Sequence, residues 1–165
     1  MEGIAQMAHA SDREAAFAEI VAQHYLGLVR RLTVVLRDVE AARNLAQETY
    51  LRAHRSWHRF DGADPRAWLH TIGLRLAFNE RDRRARWGRL MRPGPQDRSW
   101  VEPVDSGLHE ALGHLRREHR AVLLLTLVDG YTQAEVAAML DVAPGTVASW
   151  ISRAKAQLRE ALGNA

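Results

Sequence analysis

The chemistry open to this chain depends first on which reactive side chains it has and how they are spaced. Cysteine is absent from all 165 residues, so disulfides and thiolate metal sites are excluded. His54 and His58 stand at i, i+4, a spacing that can place two imidazoles on one metal. No third ligand lies near them, and two partly exposed histidines beside a loop is the more ordinary reading. His109, His114 and His119 are five apart, which turns successive rings to different faces of a helix. No nucleophile–base–acid arrangement, glycine-rich phosphate loop or metal signature has the required spacing. The expectation is therefore a non-enzyme without catalytic residues, metal or cofactor.

What remains is cationic. Residues 12–90 hold 15 arginines against 10 acidic residues, while residues 104–165 hold 6 basic against 7 acidic. A surface that attracts phosphate is thus expected mainly in the first half. Its densest part, Arg81 to Arg89, would be only a solvated helix end in the bland reading. Its density beside an aromatic-bearing loop favours nucleic-acid contact. Trp57 and Trp68 read as core, and Phe60 as the aromatic to test for base contact.

The elements that position these groups read as helices. Phe17, Ile20, Val21, His24, Tyr25, Leu28, Val29, Leu32 and Leu36 keep three-and-four spacing, which predicts a helix from about Asp12; Met1 to Ser11 reads as a loose tail. Asp38 caps a second helix carrying Ala42, Leu45, Ala46, Thr49, Tyr50 and Ala53 towards Trp57. A loop from His58 to Asp64 follows, and Asp64 before Pro65 is a cap with a first-turn proline. The third helix carries Trp68, Leu69, Ile72, Leu76 and Ala77. Three prolines between Arg92 and Ser106 mark a linker. Beyond it, Leu108, Ala111, Leu112, Leu115 and Val122 to Leu127 are expected to supply a second core.

From Gly130 to Ile151 the pattern is a helix-turn-helix. Thr132 and Glu135 form a capping box, and Asp141-Val142-Ala143 is only long enough for a turn. Pro144 opens a longer helix that is apolar at Val147, Ile151, Ala154 and Leu158. Two helices in a plain bundle would show the same period. The order Thr-Gln-Ala-Glu-Val-Ala, short turn, Pro-Gly-Thr-Val-x-Ser favours a helix that enters a DNA major groove. The expected architecture is all-α: residues 12–90, a linker over 91–106, and a helix-turn-helix domain over 107–163.

The stretch Asp38 to Arg52, with Arg59-Phe60-Asp61 and Asp64-Pro65-Arg66-Ala67-Trp68-Leu69, resembles the promoter-melting domain of extracytoplasmic-function (ECF) sigma factors of the sigma-70 family, small subunits of bacterial RNA polymerase. Leu108 to Leu162 is similar to their second domain. Two motif blocks in the right order make the resemblance specific over residues 14–162. It implies docking on core RNA polymerase through Asn44, Leu45, Gln47, Glu48 and Arg52. It implies contact with the melted non-template strand of the downstream promoter element by His58, Arg59, Phe60, Asp61, Arg75, Arg81, Arg83 and Arg84, with Arg86 on the same basic face. For duplex DNA at the upstream element it implies Thr132, Gln133, Pro144, Gly145, Thr146, Ser149, Trp150, Arg153 and Lys155. An anti-sigma factor that hides these surfaces is a further implied partner.

The chain departs from that pattern in places. The family usually has acidic residues where Arg43 and Asn44 stand, asparagine at Arg75, aspartate at Asn79, and cations at Ala148 and Trp150. Trp150 is open to a thymine methyl, a sugar or a protein partner. These departures keep two rivals in view: a plain helix-turn-helix regulator, and a divergent sigma-like binder that does not direct initiation. No apolar run approaches the roughly 20 residues needed to cross a bilayer, and Met1 onward shows no signal-peptide hydrophobic core. Cytoplasmic residence without membrane insertion is the expectation.

Overall fold

A computed structural model describes the backbone of residues 2–87 and 106–163, with side chains over 12–79 and 107–163. The expected linker, and the side chains of Arg81, Arg83, Arg84 and Arg86, lie outside the described residues. Among those described there are seven α-helices and no strand: α1 (Glu2–Leu36), α2 (Val39–Ser56), α3 (Pro65–Trp87), α4 (Ser106–His114), α5 (Arg117–Leu123), α6 (Gln133–Leu140) and α7 (Pro144–Gly163). Helix α1 begins ten residues before the expected Asp12. The expected loose tail, with three alanines and two methionines, suits propagation from a helix already anchored by its buried face.

The first lobe packs α1, α2 and α3 around Phe17, Leu28, Leu32, Leu45, Tyr50, Leu69 and Leu76. Four alanines, Ala42, Ala46, Ala53 and Ala77, are fully buried between these larger groups and let the helix backbones approach closely. Each boundary has a local cause. Asp38 Oδ1 accepts from the Ala41 amide at 2.9 Å, and Asp64 Oδ1 accepts from the Ala67 amide at 3.0 Å. Arg37, between α1 and α2, has φ 56°, the left-handed conformation that turns the chain.

The second lobe packs α4 to α7. Its α5 does not continue regularly but widens into a π-helical segment over Leu124–Val128, closed by the Asp129 amide donating to the Leu124 carbonyl at 3.0 Å. The sequence pattern placed Val122 to Leu127 in the core. Val122, Leu123 and Leu125 are buried as expected, but Leu127 is 63% exposed, as is Val128 beyond it at 71%. The wider turn changes the register that a regular 3.6-residue period assumes. Gly130 (φ 77°) then makes the left-handed step into the Thr132 cap.

The lobes are packed together. Val35 of α1 and Leu74 of α3 lie in one cluster with Ala121, Val122, Leu125, Val136, Leu140, Val147 and Ile151. Arg120, itself buried, donates to the Val35 carbonyl and to those of Leu112 and Leu115, capping the ends of α1 and α4 with one guanidinium. Burial, with the charges of Arg37 and Arg117, lowers its pKa to about 10, so it stays protonated at neutral pH. Gly113 admits the Arg37 side chain, because a Cβ there would collide with the Arg37 guanidinium.

Candidate nucleic-acid interface

On α2, the residues that the resemblance assigns to polymerase do not share one face. Asn44, Gln47 and Arg52 are exposed, and Glu48 is half-buried and accepts from Arg52 Nε at 2.7 Å. Leu45 is only 9% exposed and belongs to the first core, so in this fold its side chain packs rather than presents a surface. The exposed apolar group beside Gln47 and Glu48 is Leu51, at 55% exposure, which sequence reasoning missed. Its signal was available: Leu51 stands off the 42, 45, 46, 49, 50, 53 face and four residues beyond Gln47. Arg43 pairs with Glu40 at 2.6 Å.

The loop after α2 is floored by aromatics. Phe60 stacks on Trp57 at 5.0 Å between centroids and tilts against Trp68 at 4.8 Å. Phe17 adds a fourth ring, 5.4 Å from Trp57. Phe60 is therefore half-buried, while His58, Arg59 and Asp61 are exposed around it. Asp61 Oδ1 accepts from the Ala63 amide at 3.1 Å, an Asx turn, and Gly62 has φ 83°. His54 Nε2 sits 3.1 Å from Glu14 Oε1. His119 is buried, with Nδ1 3.0 Å from Gln157 Oε1.

In the helix-turn-helix the Thr132–Glu135 capping box is present in both directions. Asp141 ends α6 with φ 57°, and the Val142 amide reaches back to the Ala137 carbonyl at 3.0 Å. Pro144 opens α7, and Val147, Ile151 and Ala154 form its buried face. That leaves Thr132, Gln133, Pro144, Gly145, Arg153 and Lys155 exposed, with Thr146 and Ser149 half-buried. Trp150 is half-buried against the shared core, so part of its ring serves packing.

Arg75 is the residue whose surroundings differ most from the expectation. Its Nε donates to the Met139 carbonyl and its Nη2 to the Ala138 carbonyl, each at 3.0 Å. It thus satisfies carbonyls that the end of α6 leaves orphaned, bridging to the second lobe while remaining exposed to solvent. Arg117 reciprocates, donating to the Ala77 carbonyl of α3.

A second polar junction was not visible in the sequence. Arg31 Nε lies 2.9 Å from both carboxylate oxygens of Asp129, and its Nη2 and Arg66 Nη2 also reach Oδ1. The Asp129 side chain is 0% exposed. Burial opposes its ionisation, but the Arg31 hydrogen bonds and the charges of Arg31, His70 and Arg66 outweigh this and hold its pKa below the ordinary value. His70, buried beside it and edge-on to Tyr131 at 6.4 Å, is lowered to about 4, chiefly by burial and then by Arg31. Arg66 also lies over the Tyr131 ring at 5.8 Å.

Residues 20–87 match the family model for Sigma-70 region 2, and residues 106–158 the model for Sigma-70, region 4. The chain is 32% identical over 171 positions to the ECF RNA polymerase sigma factor SigL of Mycobacterium tuberculosis, covering 94% of each. It is 31% identical over 155 positions to the ECF sigma factor SigE of Mycolicibacterium smegmatis, covering 87% of this chain but only 60% of that protein. A co-crystal structure of the sigma factor RpoE with the anti-sigma factor NepR from Bartonella quintana shares the fold, with a TM-score of 0.73 at 22% identity over 90% of this chain and 97% of that one. Among the described residues no helix is long and apolar enough to cross a membrane, and no cluster of three metal-ligating side chains exists. The two matched regions stand in the order that the motif blocks implied, and the chain belongs to the ECF sigma factors of the sigma-70 family, which direct bacterial RNA polymerase to promoters.

Proposed function

We propose that this chain engages core RNA polymerase through one stripe of α2, with Asn44, Gln47, Glu48, Leu51 and Arg52 as the contact set. The loop His58–Asp64 and the basic face of α3 then hold the melted non-template strand. The N-terminal half of α7, with Gln133 of α6, reads the upstream element in duplex form. Extruding a base costs a few kcal/mol, offset by a pocket and by phosphate contacts. The observation that carries this reading is the stripe itself: polar groups and a largely exposed leucine along a helix whose opposite face is fully buried. A plain DNA-binding regulator has no need of that surface. Ala148 and the partly packed Trp150 leave the N-terminal half of α7 with Arg153 as its exposed cation, Lys155 and Arg159 following further along the helix, which favours modest duplex affinity. An anti-sigma factor would be a protein that covers α2 or holds the two lobes together.

The test is reconstitution with purified core polymerase on sheared genomic DNA, with start sites mapped. Initiation at discrete sites is the expected result. Binding without initiation would establish the divergent binder instead. Absence of any complex would overturn the sigma reading for this chain. Leu51→Ala is expected to change stability by less than about 0.5 kcal/mol, as exposed positions do, while weakening core binding at least about fivefold, the range of an interfacial apolar contact.

A further inference from the structure

We propose that Arg31 and Arg66 form a phosphodiester-binding site that Asp129 fills in the closed arrangement, so that a nucleic-acid backbone and the helix-turn-helix lobe compete for it. The inference rests on the reading that the first lobe grips a melted strand.

The two guanidiniums come from different helices of the first lobe, and the single anion between them comes from the second. Withdrawal of the second lobe leaves two converging cations. Asp64, another acid that acts on His70 and Tyr131 here, already accepts the Ala67 amide as the cap of α3. Arg31 presents Nε and Nη2 side by side, a fork that fits phosphate as well as carboxylate. Arg66 Nε is buried without a hydrogen-bond partner, a donor left over once the two oxygens of Asp129 are engaged. A phosphodiester brings further oxygens to that donor. Arg66 also stands in the first turn of α3, where the helix dipole favours an anion, and only two residues beyond the loop placed against the melted strand. Tyr131, whose ring lies against Arg66, would leave with Asp129 because both precede α6 on the second lobe.

The closed arrangement thus carries its own stand-in for the ligand. Nucleic acid that displaces Asp129 also removes an anchor of α6 on α3, and the coupling is reciprocal.

The experiment uses the full chain and a fluorescein-labelled, mixed-sequence single-stranded DNA 20-mer, with anisotropy across a salt series and hydrogen exchange over residues 133–140. In the wild type, DNA is expected to raise exchange in that segment. Asp129→Asn is expected to bind at least about fivefold tighter and to show raised exchange without DNA. Adding Arg31→Gln and Arg66→Gln to that variant should reverse the gain. It should also lower the slope of log affinity against log salt by about 0.7 for each phosphate that is no longer neutralised. If the arginine substitutions leave affinity and slope unchanged, the junction is only a latch and the proposal fails. It fails equally if DNA binds the wild type without altering exchange over 133–140, an arm that needs no variant to fold. Core-polymerase binding is scored separately with the same proteins. Its absence in the wild type would sink the sigma reading, while the DNA arms alone decide the phosphate site.

Discussion

The two lobes are built on different terms. The first encloses its own core, with large apolar side chains from three helices and alanines at the crossings. The second completes its core only with Val35 and Leu74 of the first, and besides the Asp129 ion pairs three arginines tie the lobes together by hydrogen bonds to carbonyls: Arg75, Arg117 and Arg120. The lesson is that the helix-turn-helix lobe is docked as well as folded. Its stability belongs partly to the interface, so a change at the interface can release α6 and α7 without unfolding α2.

The sharpest way to break this contrast is Leu74→Ala. Truncating this nearly buried leucine should cost about 2–4 kcal/mol. Hydrogen exchange should rise across α6 and α7 while α2 stays protected; uniform loss across both lobes would mean that they form one cooperative unit. Next comes pH. His70 is lowered to about 4 from an ordinary value near 6.5, so between those values the opened form binds the extra proton. Docking should therefore weaken as pH falls from about 6.5 to about 4, by at most about 3 kcal/mol. Asp129, whose pKa is depressed, adds a further loss only in more acid solution, as its carboxylate is protonated. Small-angle scattering across that window measures the opening, and His70→Phe should flatten it. The smallest effect is expected of Arg75→Ala, which removes two partly exposed hydrogen bonds to the end of α6 and should cost about 1 kcal/mol. Exchange confined to Ala138–Leu140 is the expected signature. If melted-strand binding falls while that exchange is unchanged, Arg75 is a phosphate ligand and not a clamp.

Much of the candidate site could be read directly because its causes are local. Asp38, Asp64 and the Thr132–Glu135 box cap helices with groups no more than three residues away, and the apolar faces of α2 and α7 follow from period alone. Leu45 and Leu51 show the limit. Both are leucines in one motif block, and only their angular position on α2 separates a core residue from an exposed one. Leu127 shows another: the period that placed it inside assumed a regular helix, and a π-helical turn moved it out.

By itself, the chain's residue order determined an all-helical fold, the starts of α2, α3, α6 and α7, the turn before Pro144 and the family, whereas it missed the start of α1. Tertiary structure alone decided that Arg75 clamps α6, that Asp129 lies between Arg31 and Arg66, and that Val35 and Leu74 complete the second core. Those pairings join residues some 60 to 100 positions apart. An arginine's charge says that it will find an anion or a carbonyl, but not which one, because that choice is made by how the helices pack.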